Sequence, residues 1–140
     1  MNERDVERET YDELCSYTIA HPDPSFIHQH AVDAFAAQHA DKNTKPITLA
    51  FALIGLYLQQ ETNASGKQVQ RVHMLLAQRR KAWPRFDVPD HRGDITVLDV
   101  MAAPPGPERD DMIVKWCASV WDAYRDSRKK VVDLLKSELG

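Results

Sequence analysis

Histidines are concentrated in one short stretch of this sequence. His28, His30 and His39 lie within twelve consecutive residues of a single predicted helix. Imidazole transfers protons near neutral pH, and it is also a common ligand of divalent metals. Because residues two apart point about 200° away from each other around a helix, His28 and His30 cannot bind the same ion without a ligand from another element.

His73 is the best candidate for that outside ligand. It lies within the apolar stripe of another predicted helix, next to Val69, Val72, Leu76 and Ala77, rather than on a solvated face. An imidazole in such a stripe is also typical of a core-edge residue that bonds a backbone carbonyl. Both interpretations of His73 are open at this point.

Asp33 completes the candidate metal site. It follows His30 by three residues and therefore shares its face of the helix, where a carboxylate would orient a metal-bound imidazole. The sequence thus predicts His30, His73 and His28 as ligands of a divalent ion such as zinc. The recognised zinc signatures, His-Glu-x-x-His and paired cysteines, are absent from the sequence.

A metal-free polar pocket is the alternative use of the same side chains. Trp83 opens a segment that runs to Ile95, contains two prolines and a glycine, and supports no helix. Its aromatic residues Trp83 and Phe86 either line the mouth of a pocket or only anchor the loop. The predicted ligand-binding residues are His28, Gln29, His30, Asp33, His73 and Trp83, with Gln38 as a further candidate.

The segment from Ile47 to Leu58 is the centre of the predicted fold. Only Thr48 and Gly55 in it are not apolar, so a helix here is apolar on every side and other helices must surround it. It is too short to cross a bilayer, which needs about 20 apolar residues. The sequence predicts an all-α fold, a compact bundle of about five to six helices around a central buried helix, Pro46 to Gln60.

Capping residues and prolines bound the other helices. Asp23 followed by Pro24 is typical of a helix start, and Ser65 with Gln68 forms a capping-box pattern. Thr96, with Asp99 three residues on, resembles a cap for a short helix. The predicted ranges are a first helix that ends near Ala20 before His21-Pro22, a second helix Ser25–Ala40, a fourth helix Gly66–Lys81, a short helix Val97–Ala102, and a long last helix from Pro107 to the end.

Composition limits the classes of function. The chain has 140 residues, of which 43% are hydrophobic and 28% charged, close to the average for globular proteins. We expect one all-helical domain, 1–140. The net charge of −3 gives no general attraction to nucleic acid or to anionic membranes. The basic runs Gln78–Lys81 and Arg128–Lys130 lie near predicted helix C-terminal ends, where cations suit the helix dipole.

Cysteine usage and the N-terminal residues bear on the compartment. Cys15 and Cys117 are 102 positions apart and match no paired spacing, which favours two reduced, buried thiols. The first residues are acidic and lack the basic-then-apolar order of an export signal. We therefore expect a cytoplasmic protein.

Several short motifs, spread from Tyr11 to about Tyr124, carry a resemblance to a known family. They are Tyr11-Asp12-Glu13-Leu14, Phe26-Ile27-His28-Gln29-His30, Val32-Asp33-Ala34, Ala37-Gln38, Gln68-Val69-Gln70-Arg71, His73-Met74, Trp83-Pro84, Arg92-Gly93, Thr96-Val97 and Asp99-Val100. Together they resemble a family of small bacterial proteins known only as a domain of unknown function. The resemblance implies a bacterial source and a helical domain, and it implies no activity.

Two hypotheses of function follow. The first, which we favour, is a non-enzymatic helical module that binds a small molecule or a protein partner; a homodimer formed through the last helix and the 83–95 loop is one such arrangement. The second is a metal-dependent, hydrolase-like enzyme in which His30 or His28, together with His73, holds a divalent ion that activates water. The second hypothesis requires these side chains to converge.

Overall fold

All regular secondary structure in the described part of the chain is helical. A computed structural model describes residues 2–21 and 23–139, and these residues form seven α-helices, one 3₁₀ turn and no strand. The all-α prediction is therefore confirmed. The helices are α1 (Glu3–Ala20), α2 (His28–Gln38), α3 (Pro46–Thr62), α4 (Gly66–Arg79), α5 (Val97–Ala102), α6 (Pro107–Ala123) and α7 (Arg128–Leu139).

Helix α3 is the predicted central helix. It packs against α2, α4, α6 and α7 and begins at Pro46 as predicted. Its buried residues are Leu49, Ala50, Ala52, Leu53, Ile54, Gly55 and Leu56. The helix ends at Thr62, two residues beyond the predicted Gln60, where Asn63 takes a left-handed conformation with φ of 57°. Asparagine tolerates this conformation better than most residues and commonly ends helices in this way.

Helix α2 begins later than predicted, and this is a correction. Asp23 does not open the helix, because its carboxylate accepts hydrogen bonds from the amides of Ser25 at 3.1 Å and Ile27 at 3.2 Å and so closes a turn. Within this turn Phe26 has a positive φ of 60°. The helix therefore starts at His28. Pro22, which was used to predict the end of the first helix, lies outside the described residues.

The capping predictions at Ser65 and at Thr96 are confirmed. Ser65 and Gln68 form a reciprocal capping box at the start of α4, and Thr96 and Asp99 form another at the start of α5. Each box satisfies two amides that a helix start otherwise leaves without a partner. Helix α4 ends at Arg79, slightly before the predicted Lys81.

The long C-terminal helical segment is present, and a 3₁₀ turn at Arg125–Ser127 divides it into α6 and α7. At the division, the Tyr124 hydroxyl donates to the carbonyl of Ala37 at 2.7 Å and ties the end of α6 to α2. The change of direction lets the buried residues Val131 and Leu134 pack with α3. Among the helices of the described ranges, none has the length and apolar character needed to cross a membrane.

Candidate functional site

A cleft of about 510 Å³ lies where four parts of the chain meet. These are the 23–27 turn, the end of α3, the start of α4 and one residue of α6, Val114. Its apolar wall is formed by Ile27, Ala64 and Val114, and His30 of α2 completes the lining. The polar side chains of the lining are Ser25, Gln59, Gln60, Asn63, Ser65 and Gln68. No Asp, Glu, Lys or Arg of the described chain lines the cleft.

His30 is the most unusual residue of the cleft. Its exposed fraction is 6%, and its Nδ1 atom is buried without a hydrogen-bond partner among the described residues. Burial lowers the pKa of His30 to about 4, because desolvation disfavours the imidazolium; the charge of Asp23 opposes this effect. The ring is therefore neutral near pH 7, with one nitrogen able to donate and the other able to accept.

The turn beside the cleft is held in a strained shape. Burial raises the pKa of Asp23, but hydrogen bonds from Ser25 and Ile27 outweigh this and hold the pKa below its ordinary value. The amide of Lys67 donates to the carbonyl of Ser25 at 3.3 Å, so the first turn of α4 supports this segment. A bulky residue with positive φ, here Phe26, costs about 1–3 kcal/mol, which the surrounding contacts must offset.

Asp33 lies in a different place, at the contact between α2 and α3. Its exposed fraction is 3%, and its Oδ1 atom accepts a hydrogen bond from Nε2 of Gln29 at 3.0 Å, whereas Oδ2 is buried without a partner. Burial raises the pKa of Asp33 well above its ordinary value. Its hydrogen-bond partner is Gln29 rather than His30, so it does not orient the His30 ring as the sequence predicted.

His28 is tied to α1. Its Nδ1 atom lies 2.8 Å from the hydroxyl of Thr18, and that hydroxyl donates to the carbonyl of Cys15 at 3.1 Å. Nδ1 of His28 is therefore occupied by a contact with α1 and does not face the cleft lining. Burial lowers the pKa of His28.

His73 and Trp83 belong to an aromatic cluster around Phe51. Nε2 of His73 donates to the carbonyl of Phe51 at 2.9 Å, and the two rings stack with centroids 4.4 Å apart. Trp83 meets the same Phe51 ring edge-on at 5.0 Å. Burial lowers the pKa of His73, while the hydrogen bond to Phe51 opposes that change. These contacts are those of a core-edge histidine and a loop anchor.

The predicted site residues are therefore distributed over several environments. His30 lines the cleft, Gln29 pairs with Asp33, His28 bonds Thr18, and His73 bonds Phe51. Among residues 2–21 and 23–139, no group of three or more His, Cys, Asp or Glu side chains is placed to hold a metal ion. The predicted three-histidine ligand set does not converge in this structure.

A second depression, of about 360 Å³, lies near the end of α2 and is more highly charged. Its charged groups are largely used inside the protein: Arg4 pairs with Asp41 at 3.1 Å, and Arg92 donates to the carbonyls of Gln38 and Ala40. His39, the third histidine of the predicted cluster, has its Nε2 atom 3.6 Å from the Glu7 carboxylate. Like Nδ1 of His30, Nε2 of His39 is buried without a hydrogen-bond partner among the described residues, and the two sites differ in that the lining of this depression is charged.

Sequence reasoning missed most of the polar lining of the cleft. Gln59, Gln60 and Asn63 are not among the predicted site residues, and Ser65 and Gln68 are predicted only as capping residues. The available signal was a concentration of carboxamides at one helix end directly before a short turn. The signal does not reveal that these residues line a cleft, because the opposing wall belongs to the 23–27 turn, which is distant in sequence.

Most of the chain matches the model of a known protein family. The model described as "Family of unknown function (DUF5946)" matches residues 8–125. The chain belongs to this family. No curated protein and no solved structure matches the chain.

The family match covers the whole cleft. All residues that line it, from Ser25 to Val114, lie within the matched range 8–125, whereas α7 lies beyond it. The resemblance found from the sequence motifs is thus confirmed as family membership. The family description assigns no activity, so function has to be argued from the residues of the site.

The protonation of His30 predicts a dependence of stability on pH. Because its pKa is about 4 in the folded chain and near 6.5 when unfolded, the unfolded state binds more protons between these values. Stability due to this residue is therefore complete above pH 6.5 and is lost as pH falls toward 4. When the pH is lowered from 7 to 4.5, we expect the free energy of unfolding to fall by about 2 to 3 kcal/mol more in the native chain than in His30→Gln.

Urea denaturation of both proteins at the two pH values measures this difference. Asp33 and the other histidines are the same in both proteins, so their contributions cancel in the comparison. An equal loss of stability in the two proteins would show that His30 does not have a lowered pKa in the folded state.

Proposed function

We propose that this protein is a binding module for a small molecule, which occupies the cleft at His30. The observation that supports this proposal is the state of His30: its side chain is 6% exposed, it lines the cleft, and its Nδ1 atom has no partner. Buried polar atoms are nearly always hydrogen-bonded in native proteins, and exceptions are common at functional sites. An imidazole with unused hydrogen-bonding capacity at the wall of a cleft suits ligand recognition.

The dimensions and lining of the cleft agree with this use. Its volume of about 510 Å³ lies within the range of small-molecule sites, roughly 300–1,000 Å³. It combines an apolar wall with several polar groups, and such groups fix the orientation of a ligand. The strained Phe26 backbone next to the cleft is a further feature that proteins concentrate at binding sites.

A fragment screen observed by NMR tests the proposal. The full chain, labelled with ¹⁵N, is titrated with a library of small fragments that includes neutral, anionic and cationic members. We expect saturable shifts of signals from residues that line the cleft. The affinity should be about tenfold or more weaker in His30→Gln, because glutamine reproduces neither the ring of His30 nor a polar atom at the place of Nδ1.

His73→Gln is the matched control. His73 is also buried, with an exposed fraction of 9%, but it bonds Phe51 and is not part of the cleft lining. Fragment binding should survive this change. Binding that is unaffected by His30→Gln, or a library without any ligand for the cleft, would contradict the proposal.

Metal analysis of the same preparations separates this proposal from the metal-dependent alternative. Elemental analysis by mass spectrometry is carried out on the native chain and on His30→Gln. Near-stoichiometric metal that is present in the native chain and lost in His30→Gln would replace the small-molecule proposal with a metal site at His30.

A further inference from the structure

We infer that the cleft at His30 takes an uncharged ligand whose polar edge carries a hydrogen-bond donor beside an acceptor, as in a carboxamide, lactam or ureido group. This inference rests on the proposed function and adds the chemical class of the ligand. It is carried by three features of the cleft: the absence of charged side chains, the state of the two helix ends, and the number of carboxamides.

The first feature is the lack of a counter-charge. No Asp, Glu, Lys or Arg of the described chain lines the cleft, and His30 is neutral near pH 7. A charged ligand would leave water without gaining an opposite charge, which is costly. The charge of Asp23 acts on the pKa of His30, but its carboxylate is not part of the lining and is already bonded by the amides of Ser25 and Ile27.

The second feature concerns the two helix ends at the cleft. The C-terminal end of α3 and the N-terminal end of α4 both contribute to the lining, so the negative end of one helix dipole lies beside the positive end of the other. The start of α4 does not offer its usual anion site. The amide of Gln68 donates to Ser65 Oγ at 3.1 Å, that of Ser65 to Gln68 Oε1 at 2.8 Å, and that of Lys67 to the carbonyl of Ser25.

The third feature is the set of four carboxamides, Gln59, Gln60, Asn63 and Gln68. Each carboxamide has both a donor and an acceptor. Gln60 Nε2 donates to Gln59 Oε1 and to the carbonyl of Val114 at 3.5 Å, and Gln68 Oε1 is used in the capping box. The groups left for a ligand are therefore donors on Gln59 and Gln68, an acceptor on Gln60, and both kinds on Asn63. A ligand edge with an adjacent donor and acceptor complements such a mixed set.

The apolar wall adds a preference for a ring. Val114 is 42% exposed and faces the cleft together with Ile27 and Ala64. A cleft whose lining has both apolar side chains and carboxamides accommodates a flat ring that carries one polar edge. Nicotinamide has this form, and two analogues of nearly equal size differ from it in charge: nicotinate is an anion and 1-methylnicotinamide is a cation.

Titration of the full chain with these three probes tests the inference. The side-chain amide signals of the four carboxamides and the ring signals of His30 are followed by NMR. We expect nicotinamide to bind about tenfold or more tightly than either charged analogue. We also expect its affinity to change by less than about twofold when the salt concentration is raised, because no ion pair is screened.

Gln68→Glu is the variant that tests the role of charge directly. Glutamate keeps the acceptor that the capping box requires and suits a helix N-terminus, so α4 is retained. It replaces the Gln68 donor with a negative charge. We expect weaker nicotinamide binding and a shift of preference toward the cationic probe.

Gln70→Glu makes the same change on the same helix outside the cleft lining, where the residue is exposed, and should leave the order of the three probes unchanged. If nicotinate or 1-methylnicotinamide binds the native cleft more tightly than nicotinamide, the inference is overturned while the proposed function stands. If none of the three probes shifts the cleft signals, the inference is also overturned. In that case the fragment library decides the proposed function separately.

Discussion

Gly55→Ala is expected to lower the free energy of unfolding by about 3 kcal/mol, an effect at the upper end of those seen when a packed core is overfilled. A Cβ atom on Gly55 would lie 1.9 Å from Oδ2 and 2.5 Å from Cγ of Asp33. Asp33 has little freedom to move away, because it is 3% exposed and is bonded by Gln29. Alanine is favoured over glycine inside a helix by about 1 kcal/mol, which offsets only part of this collision.

A double-mutant cycle tests the cause of this effect. Asp33→Ala removes the carboxyl group that a Cβ at Gly55 would meet, so Gly55→Ala should cost much less in the Asp33→Ala background than in the native chain. Urea denaturation of the four proteins measures the coupling between the two positions. Additive effects of the two substitutions would show that the Asp33 side chain is not what excludes alanine from position 55.

Gly66→Ala is expected to have the second large effect, on stability and on the cleft together. A Cβ atom there would lie 1.8 Å from the carbonyl oxygen of Phe26 and 3.0 Å from that of Ser25. These neighbours are backbone atoms, so the 23–27 turn has to shift rather than rotate a side chain. We expect a loss of about 2 to 3 kcal/mol in the free energy of unfolding.

Because Ser25 and Ile27 belong to the cleft wall, the same shift should weaken fragment binding. Denaturation and NMR titration of one preparation measure both effects. Lys67→Ala is the control, since it places alanine at the next, exposed position in the first turn of α4 and should leave stability and binding close to native. Native stability and unshifted signals from residues 23–27 in Gly66→Ala would contradict the expected backbone collision.

Local patterns were sufficient to predict several elements. The central helix α3 follows from an apolar run that needs burial on all sides, and this requirement belongs to the run itself. The capping boxes at Ser65 and Thr96 were predictable because both partners of each bond lie three residues apart. The start of α2 was predicted wrongly because Asp23 can close a turn as well as cap a helix, and the two uses share one sequence pattern.

The candidate site was only partly predictable. The sequence singled out His30, and the structure places it at the cleft. The sequence also predicted that His28 and His73 join His30 at one site. In the structure, however, His28 bonds Thr18 of α1 and His73 bonds the Phe51 carbonyl of α3. These partners lie ten and 22 positions away, and nothing in the spacing of the histidines selects them.

The sequence by itself therefore determined the helical class, the central position of α3 and the capped helix starts, since these depend on residues close together in the chain. Only the tertiary structure decided which polar side chains are satisfied and which remain available. In the folded chain Asp33 is hydrogen-bonded to Gln29 and lies next to Gly55, whereas His30 lines a cleft and its Nδ1 atom has no partner. The physical reason is that hydrogen bonding and burial of a side chain depend on the helices packed against it, which the periodicity of its own helix does not specify.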